Sequence, residues 1–191
     1  MNEIVKTEIK GRMIIRDLET NEIVRDHTNA IHPQNMALLI ARALSRDSNG
    51  YIYSLSFGNG GTFYNSSQQI VYRPPITIGS SANLYNQTYS VQVDDQSTGT
   101  PITNSVLSAS SLSPAISSTI TVTAQLNANE PLLQAAADNL PLNATTQMFM
   151  FDELGLKSSD GMLLSHLIFS PFEKTSNRAF LITYTLTVLV S

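Results

Sequence analysis

Phe180-Leu-Ile-Thr-Tyr-Thr-Leu-Thr-Val-Leu-Val190 is the longest and most regular alternation in the chain. Phe180, Ile182, Tyr184, Leu186, Val188 and Val190 fall on one face, while Thr183, Thr185 and Thr187 dominate the other. A period of two with one apolar and one half-wet side is the pattern of an antiparallel strand covering a core. Upstream, Gln147-Met-Phe-Met-Phe-Asp-Glu-Leu-Gly-Leu156 reads as a strand that runs into a kinked polar step. Ser158-Ser-Asp-Gly161 then supplies Asp-Gly, a pair that tolerates positive φ, so Met162 to Ser170 is predicted to return as a neighbouring strand. Pro171 is expected to turn the chain again before the final strand, which begins near Arg178. These three strands form half a core, and the rest of the chain must supply the other half.

From the N-terminus, Glu8 to Asp17 and Ile23 to Thr28 form the arms of a hairpin over 8–28, with Asn21 suited to the turn. Met13 and Ile15 share one face; Ile14 and Arg16 share the other. One helix follows at about 33–46. His32 precedes Pro33, whose fixed φ favours the first helical position, and Met36, Leu39, Ile40, Ala43 and Leu44 recur at helical spacing. Arg42 and Arg46 complement its dipole, and Ser48-Asn-Gly50 is expected to end it. Tyr51 to Phe57 alternates as a strand with Tyr51, Tyr53, Leu55 and Phe57 on one face. Gln69 to Tyr72 and Thr88 to Val93 are two further strands, separated by Pro74-Pro75 and a loop from Gly79 to Asn83. Asp94 to Ser118 is rich in Ser, Thr, Asn and Pro and reads as a surface excursion. Ile116 to Leu126 is again a strand, with Ile120, Val122, Ala124 and Leu126 on one side and Thr119, Thr121 and Thr123 on the other. Glu130 to Asn139 reads as a short helix closed by Pro141. The fold expected is mainly β: a single antiparallel β-sandwich domain over 1–191, with one amphipathic helix and long surface loops.

With 191 residues, of which 42% are hydrophobic, the chain has apolar material for one domain with a core. Only 14% are charged, and Ser, Thr, Asn and Gln make up the balance. Such a neutral, hydrogen-bonding surface suits packing against protein neighbours. A net charge of −4 without a Lys/Arg cluster argues against a phosphate-binding surface. The absence of cysteine excludes disulfides, thiolate nucleophiles and Cys-based zinc sites. Met1-Asn-Glu-Ile-Val-Lys-Thr-Glu8 has no apolar run, and no stretch approaches the roughly 20 apolar residues of a membrane helix. A soluble protein made in a cytoplasm without a classical signal is expected.

Few residues stand in a pattern that catalysis or metal binding requires. His27, His32 and His166 lack metal-ligand spacings; His32 reads as a helix-entry residue and His166 as a satisfied, partly buried strand residue. In Asp94-Asp95 and Asp152-Glu153, neighbouring side chains on a strand point to opposite faces unless a bulge intervenes, so a solvated edge or a subunit contact is expected. Gly58-Asn-Gly-Gly61 is expected to be a tight turn requiring positive φ more than once; it lacks the lysine and following helix of a phosphate loop. Sequons begin at Asn65, Asn86 and Asn143, but without a signal peptide they read as chance matches. No serine has the context of a nucleophile elbow. No catalytic, cofactor-binding or metal-binding residue is predicted, and no cofactor.

Phe151-Asp-Glu-Leu-Gly-Leu156, followed by Asp160-Gly-Met-Leu-Leu164, Lys174 and the long strand ending in Val188-Leu-Val190, resembles tail, baseplate and fibre-associated structural proteins of tailed bacteriophages. Asp26-His-Thr-Asn-Ala-Ile-His-Pro-Gln-Asn-Met-Ala37, with Ser56-Phe-Gly-Asn-Gly-Gly61, is similar to phage virion proteins of neck and tail assemblies. The chain departs from that resemblance in its long Ser/Thr-rich middle. The resemblance implies a β-sandwich that assembles as a ring around the virion axis or decorates one, and it implies no catalytic residues. Expected partners are copies of the chain and other virion proteins, with the hairpin near Glu8 to Thr28 or the middle loops covering a neighbouring subunit. A capsid decoration or fibre-associated, glycan-binding sandwich is the alternative, since Tyr64, Tyr72, Tyr85 and Tyr89 lie near amide and acidic residues. A hydrolase using unrecognised carboxylates would be a third class, supported only by the presence of acids.

Overall fold

A computed structural model describes residues 6–93, 105–111, 117–128, 130–131 and 148–190. In chain order the elements are β1 (Thr7–Asp17), β2 (Ile23–Thr28), β3 (Ala30–Ile31), α1 (Pro33–Leu44), β4 (Ile52–Gly58), β5 (Thr62–Tyr64), β6 (Ile70–Tyr72), β7 (Gln87–Gln92), β8 (Ser105–Ser111), β9 (Ser117–Leu126), β10 (Met148–Ser158), β11 (Leu163–Thr175) and β12 (Phe180–Val190). Two five-stranded antiparallel sheets, ordered β2-β1-β12-β9-β8 and β3-β11-β10-β4-β7, face each other; β5 and β6 form a separate two-stranded hairpin. Among the described residues, the expected antiparallel sandwich with one helix is what forms.

The alternation at the C-terminus sets the first sheet. β12 lies between β1 and β9, with Tyr184 opposite Met13 on one side and Val122 on the other. Directly opposed residues point the same way, so Met13, Val122 and Tyr184 meet on the inner face and all are wholly buried. From the second sheet, Leu55, Phe57, Leu154, Leu156 and Phe169 pack against them. Phe151, Phe169, Phe172 and Phe180 form a chain of tilted and edge-on rings with centroids 5.5 to 5.9 Å apart, the offset geometry that aromatic quadrupoles favour. A polar contact lies within this core. The Tyr184 hydroxyl donates to Ser165 Oγ on β11 at 2.5 Å and accepts from the Asn29 amide, which pins the two sheets in relative position.

The hairpin of β1 and β2 is present, with Asn21 at φ 61° in its turn. α1 begins as expected. His32 caps it through Nδ1, which accepts from Asn35 N at 3.3 Å, while Nε2 meets the Gly79 carbonyl at 3.0 Å. The helix stops at Leu44 rather than Arg46, because Arg46 itself adopts φ 60° and leaves the helical path.

Four expectations need correction. Pro171 does not end its strand: β11 runs on to Thr175, and Phe169, Ser170 and Pro171 stand against Asp152 alone as a wide irregularity. A proline lacks the ladder N–H, and a bulge is where a sheet tolerates one. Arg25 of β2 satisfies the displaced carbonyls, donating to Ser170 O at 2.9 Å and Pro171 O at 2.8 Å across the two sheets. Second, Ser105–Ser111 within the supposed surface excursion is a strand, β8, paired along its length with β9. Third, Tyr51 to Phe57 is not one-sided. β4 lies between β10 and β7, and Ile52, Ser54 and Ser56 are buried as well as Leu55 and Phe57, whereas Tyr51 is exposed. Fourth, Gly58, Gly60 and Gly61 are not at positive φ; the positive-φ glycines among the described residues are Gly79 and Gly161. The expected helix at Glu130 to Asn139 falls mostly on residues outside those described, as do Asp94 and Asp95.

Candidate functional site

Strand parity decides where the acids of Asp152-Glu153 go. Phe151 opposes Phe172 and faces the core, and Leu154 opposes Leu167 and faces it too. Two residues instead of one separate them, so the bulge turns both carboxylates to the outer face of the second sheet. That outer face is covered by chain returning from 59–62 and 76–87, and Asp152 and Glu153 are buried. The expectation of a solvated edge for this pair is overturned, because the bulge and the covering loops act together.

The covering chain is held through its backbone. Asp152 Oδ1 accepts from Gly61 N at 2.8 Å, and Oδ2 accepts from Thr62 N at 2.8 Å and Thr62 Oγ1 at 2.5 Å. Glu153 Oε1 accepts from Gly60 N at 3.1 Å and Asn86 N at 2.7 Å; Oε2 accepts from Tyr85 N at 2.9 Å and meets His166 Nε2 at 3.0 Å. The glycine-rich loop therefore does aim N–H groups at an anion, and the anion belongs to the protein itself. Its glycines are required for close approach. A Cβ on Gly60 would lie 2.7 Å from Asn86 N, and one on Gly61 would lie 2.8 Å from Ile168 Cδ1 and 2.9 Å from Asp152 O.

His166 completes the network. Its Nδ1 accepts from Ile76 N at 2.9 Å, so the proton of the neutral ring sits on Nε2 and is donated to Glu153. Burial pushes the Glu153 carboxyl up, but the hydrogen bonds from His166, Asn86, Tyr85 and Gly60 outweigh it and hold the group below the usual carboxylate range. Burial pushes Asp152 up, the bonds from Thr62 and Gly61 offset only part of this, and the charge of Glu153 adds to it. Glu153 is thus the firmer anion of the pair. Neither acid has an accessible oxygen to offer a substrate. Lys157, on the same outer face, acts alike, donating to Asn83 Oδ1 at 2.6 Å and Gln87 Oε1 at 2.5 Å.

This buried network holds the root of the β5–β6 hairpin, which begins directly after Gly61 and starts out beside β11. Arg73 N closes its base onto Gly61 O at 2.8 Å, and the Arg73 guanidinium stacks over Phe63 and Tyr85 at 5.7 and 4.9 Å. Asn65 Oδ1 accepts from Ser67 N and Gln69 N to shape the tip. The hairpin buries few of its large side chains: Phe63 is 46% exposed, Tyr64 64%, Ile70 38% and Tyr72 52%. No residue from Thr62 to Tyr72 is charged.

The other candidates are accounted for locally. His27 stacks on Phe169 at 6.4 Å. Tyr85 donates to Pro74 O at 2.8 Å, and Tyr89 packs near Phe57 with its phenol pushed up to about 12 by burial and Glu130. Of the four tyrosines singled out from sequence, Tyr64 and Tyr72 are the exposed ones. The Asn86 amide bonds Asn59 Oδ1 at 2.6 Å, and Asn143 lies outside the described residues. Among the described residues no group of three His, Asp or Glu could hold a metal ion, and no helix is long and apolar enough to cross a membrane. No family model, curated protein or solved structure matches the chain. Sequence reasoning missed the acidic hub, although its parts stood in the text: a Gly-Asn-Gly-Gly loop and an Asp-Glu pair, each lacking a partner within its own segment.

Proposed function

We propose that the chain is a non-enzymatic structural component of a tailed bacteriophage virion, assembling as a ring in the neck or collar, the tail or the baseplate. The observation that carries this reading is the pairing of a saturated acidic network with the feature it supports. Asp152, Glu153 and His166 are the groups best suited to acid–base chemistry, and their donors and acceptors are occupied in holding the covering chain and the root of an uncharged, half-exposed aromatic hairpin. An apolar projection on a rigid mount serves contact with another protein surface. The resemblance of the Phe151 to Leu164 segment and the terminal strand to phage virion proteins supplies the setting. Light scattering on the purified protein, followed by negative-stain imaging, tests it. A closed ring of sixfold or twelvefold symmetry is expected, and a chain that stays monomeric alone and beside candidate virion partners refutes it.

A second reading, a capsid decoration or fibre-associated sandwich that binds glycans, is favoured by the exposure of Tyr64 and Tyr72 beside Asn65 and Gln69. Aromatic faces stack on sugar C–H groups while neighbouring amides meet hydroxyls. Glycan-array binding that is lost in Tyr64→Ala would establish this reading in place of the first.

A further inference from the structure

At the end of β4 away from the hairpin, the sandwich is incompletely closed. α1 lies across this mouth and leaves an apolar hollow of about 350 Å³, lined by Ile9, Leu39, Ile40, Tyr51, Leu186 and Val188 among others, none of them charged. Its rim is apolar as well: Leu44 is 82% exposed, Tyr51 45% and Ile40 37%. The amphipathic stripe of α1 is therefore covered at Met36 and Leu39 and uncovered at Ile40 and Leu44. A helix of a finished domain turns such a stripe to its core.

Among the described residues, two half-exposed apolar features have opposite shapes. One is convex, the β5–β6 hairpin beyond Gly58; the other is concave, beside Ile52. β4 separates them, so the hairpin cannot fold back into the hollow of its own chain. We infer that the hairpin of one copy seats in the α1 hollow of the next, with Tyr64 and Tyr72 entering beside Ile40 and Leu44. This inference rests on the proposed self-assembly and names its contact surface. Tyr64 and Tyr72 share the hairpin face opposite Phe63, which Arg73 covers, and the side chains lining the hollow are uncharged, so seating that face strips no ion of water. The hollow has room for a pair of aromatic side chains, the residue type that dominates interface energetics. Because the two surfaces differ and lie at opposite ends of one strand, the contact is head-to-tail, the kind that closes into rings.

The absence of cysteine makes the test clean. Tyr64→Cys and Leu44→Cys variants are prepared separately, checked by circular dichroism and thermal melting for wild-type stability, mixed and oxidised. Disulfide-linked dimers are expected from the mixture and not from either variant alone, and Tyr64→Asp should weaken assembly about a hundredfold without lowering the melting temperature. Cross-linking of Tyr64→Cys to itself overturns the inference in favour of a hairpin-to-hairpin contact. Oligomers by light scattering without mixed cross-links overturn it while leaving the ring reading intact. A monomer at every concentration, with no cross-link, overturns both the contact and self-assembly.

Discussion

Glu153→Gln is the perturbation that tests the hub most sharply, because it changes one atom's chemistry and almost no volume. Glu153 Oε1 takes Gly60 N and Asn86 N, and Oε2 takes Tyr85 N and the His166 Nε2 proton. If the carboxamide oxygen keeps the Oε1 position, its NH2 faces the Tyr85 N–H and the His166 N–H. His166 can move its proton to Nδ1, but then the ring N–H faces the Ile76 N–H that it now accepts. Every arrangement leaves about two buried donors unpaired, at ~1–3 kcal/mol each. A loss of about 3–4 kcal/mol is expected, a large part of the ~5–15 kcal/mol that holds an ordinary domain together. Urea unfolding at pH 7 reads the loss, and amide exchange should show Ile76, Tyr85 and Asn86 opening faster than the β12 core. Glu153 is held below its ordinary pKa, so its contribution is present above the unfolded carboxyl pKa and is lost as pH falls through the folded one. The variant should lack that acid-side loss. A loss below about 1 kcal/mol, with unchanged exchange at Ile76, would refute the donor–acceptor accounting.

Two further predictions follow from single side chains. Lys174 is wholly buried, and burial lowers its pKa from 10.5 to about 8. The unfolded chain then binds the extra proton between those values, so stability should rise by about 2 kcal/mol from pH 7.5 to 9.5. Lys157, lowered by burial in the same direction, adds to the rise, and Lys174→Met should reduce it in urea melts at the two pH values. Gly61→Ala and Gly161→Ala separate two reasons for glycine. The first drives a Cβ against Ile168 and the Asp152 backbone and should lose about 2–3 kcal/mol, whereas the second meets open space at φ 85° and should lose about 1 kcal/mol by thermal melting.

Much of the frame was legible because its signals are local. Phe180 to Val190 alternates for its whole length, Asn21 and Gly161 occupy the turns their chemistry suits, and His32 with Pro33 opens the helix. What escaped depends on partners distant in sequence. Ser105–Ser111 is a strand because it lies along β9, a pairing made through backbone atoms that Ser and Ala side chains do not announce. Pro171 fits inside β11 because Arg25, 146 positions earlier, supplies donors to the carbonyls at that irregularity. The burial of Asp152 and Glu153 required two facts absent from their own segment: the bulge that aligns them, and the return of 76–87 over the sheet. Composition signalled a neutral surface, and the structure adds that exposed apolar side chains stand at both ends of β4 as well as singly at Leu18, Ile23 and Ile78.

The mounting of the hairpin also has a mechanical consequence. Its anchors are Asp152 and Glu153 on β10 and, through Glu153, His166 on β11, and both strands have hydrogen-bonded neighbours on either side. A pull on the tip is passed into the middle of a sheet, where neighbouring ladders share it in shear, and not to an outer strand that could peel away one bond at a time. The projection should yield at its tip, where Asn65 and Gln69 shape the turn, before its root gives way.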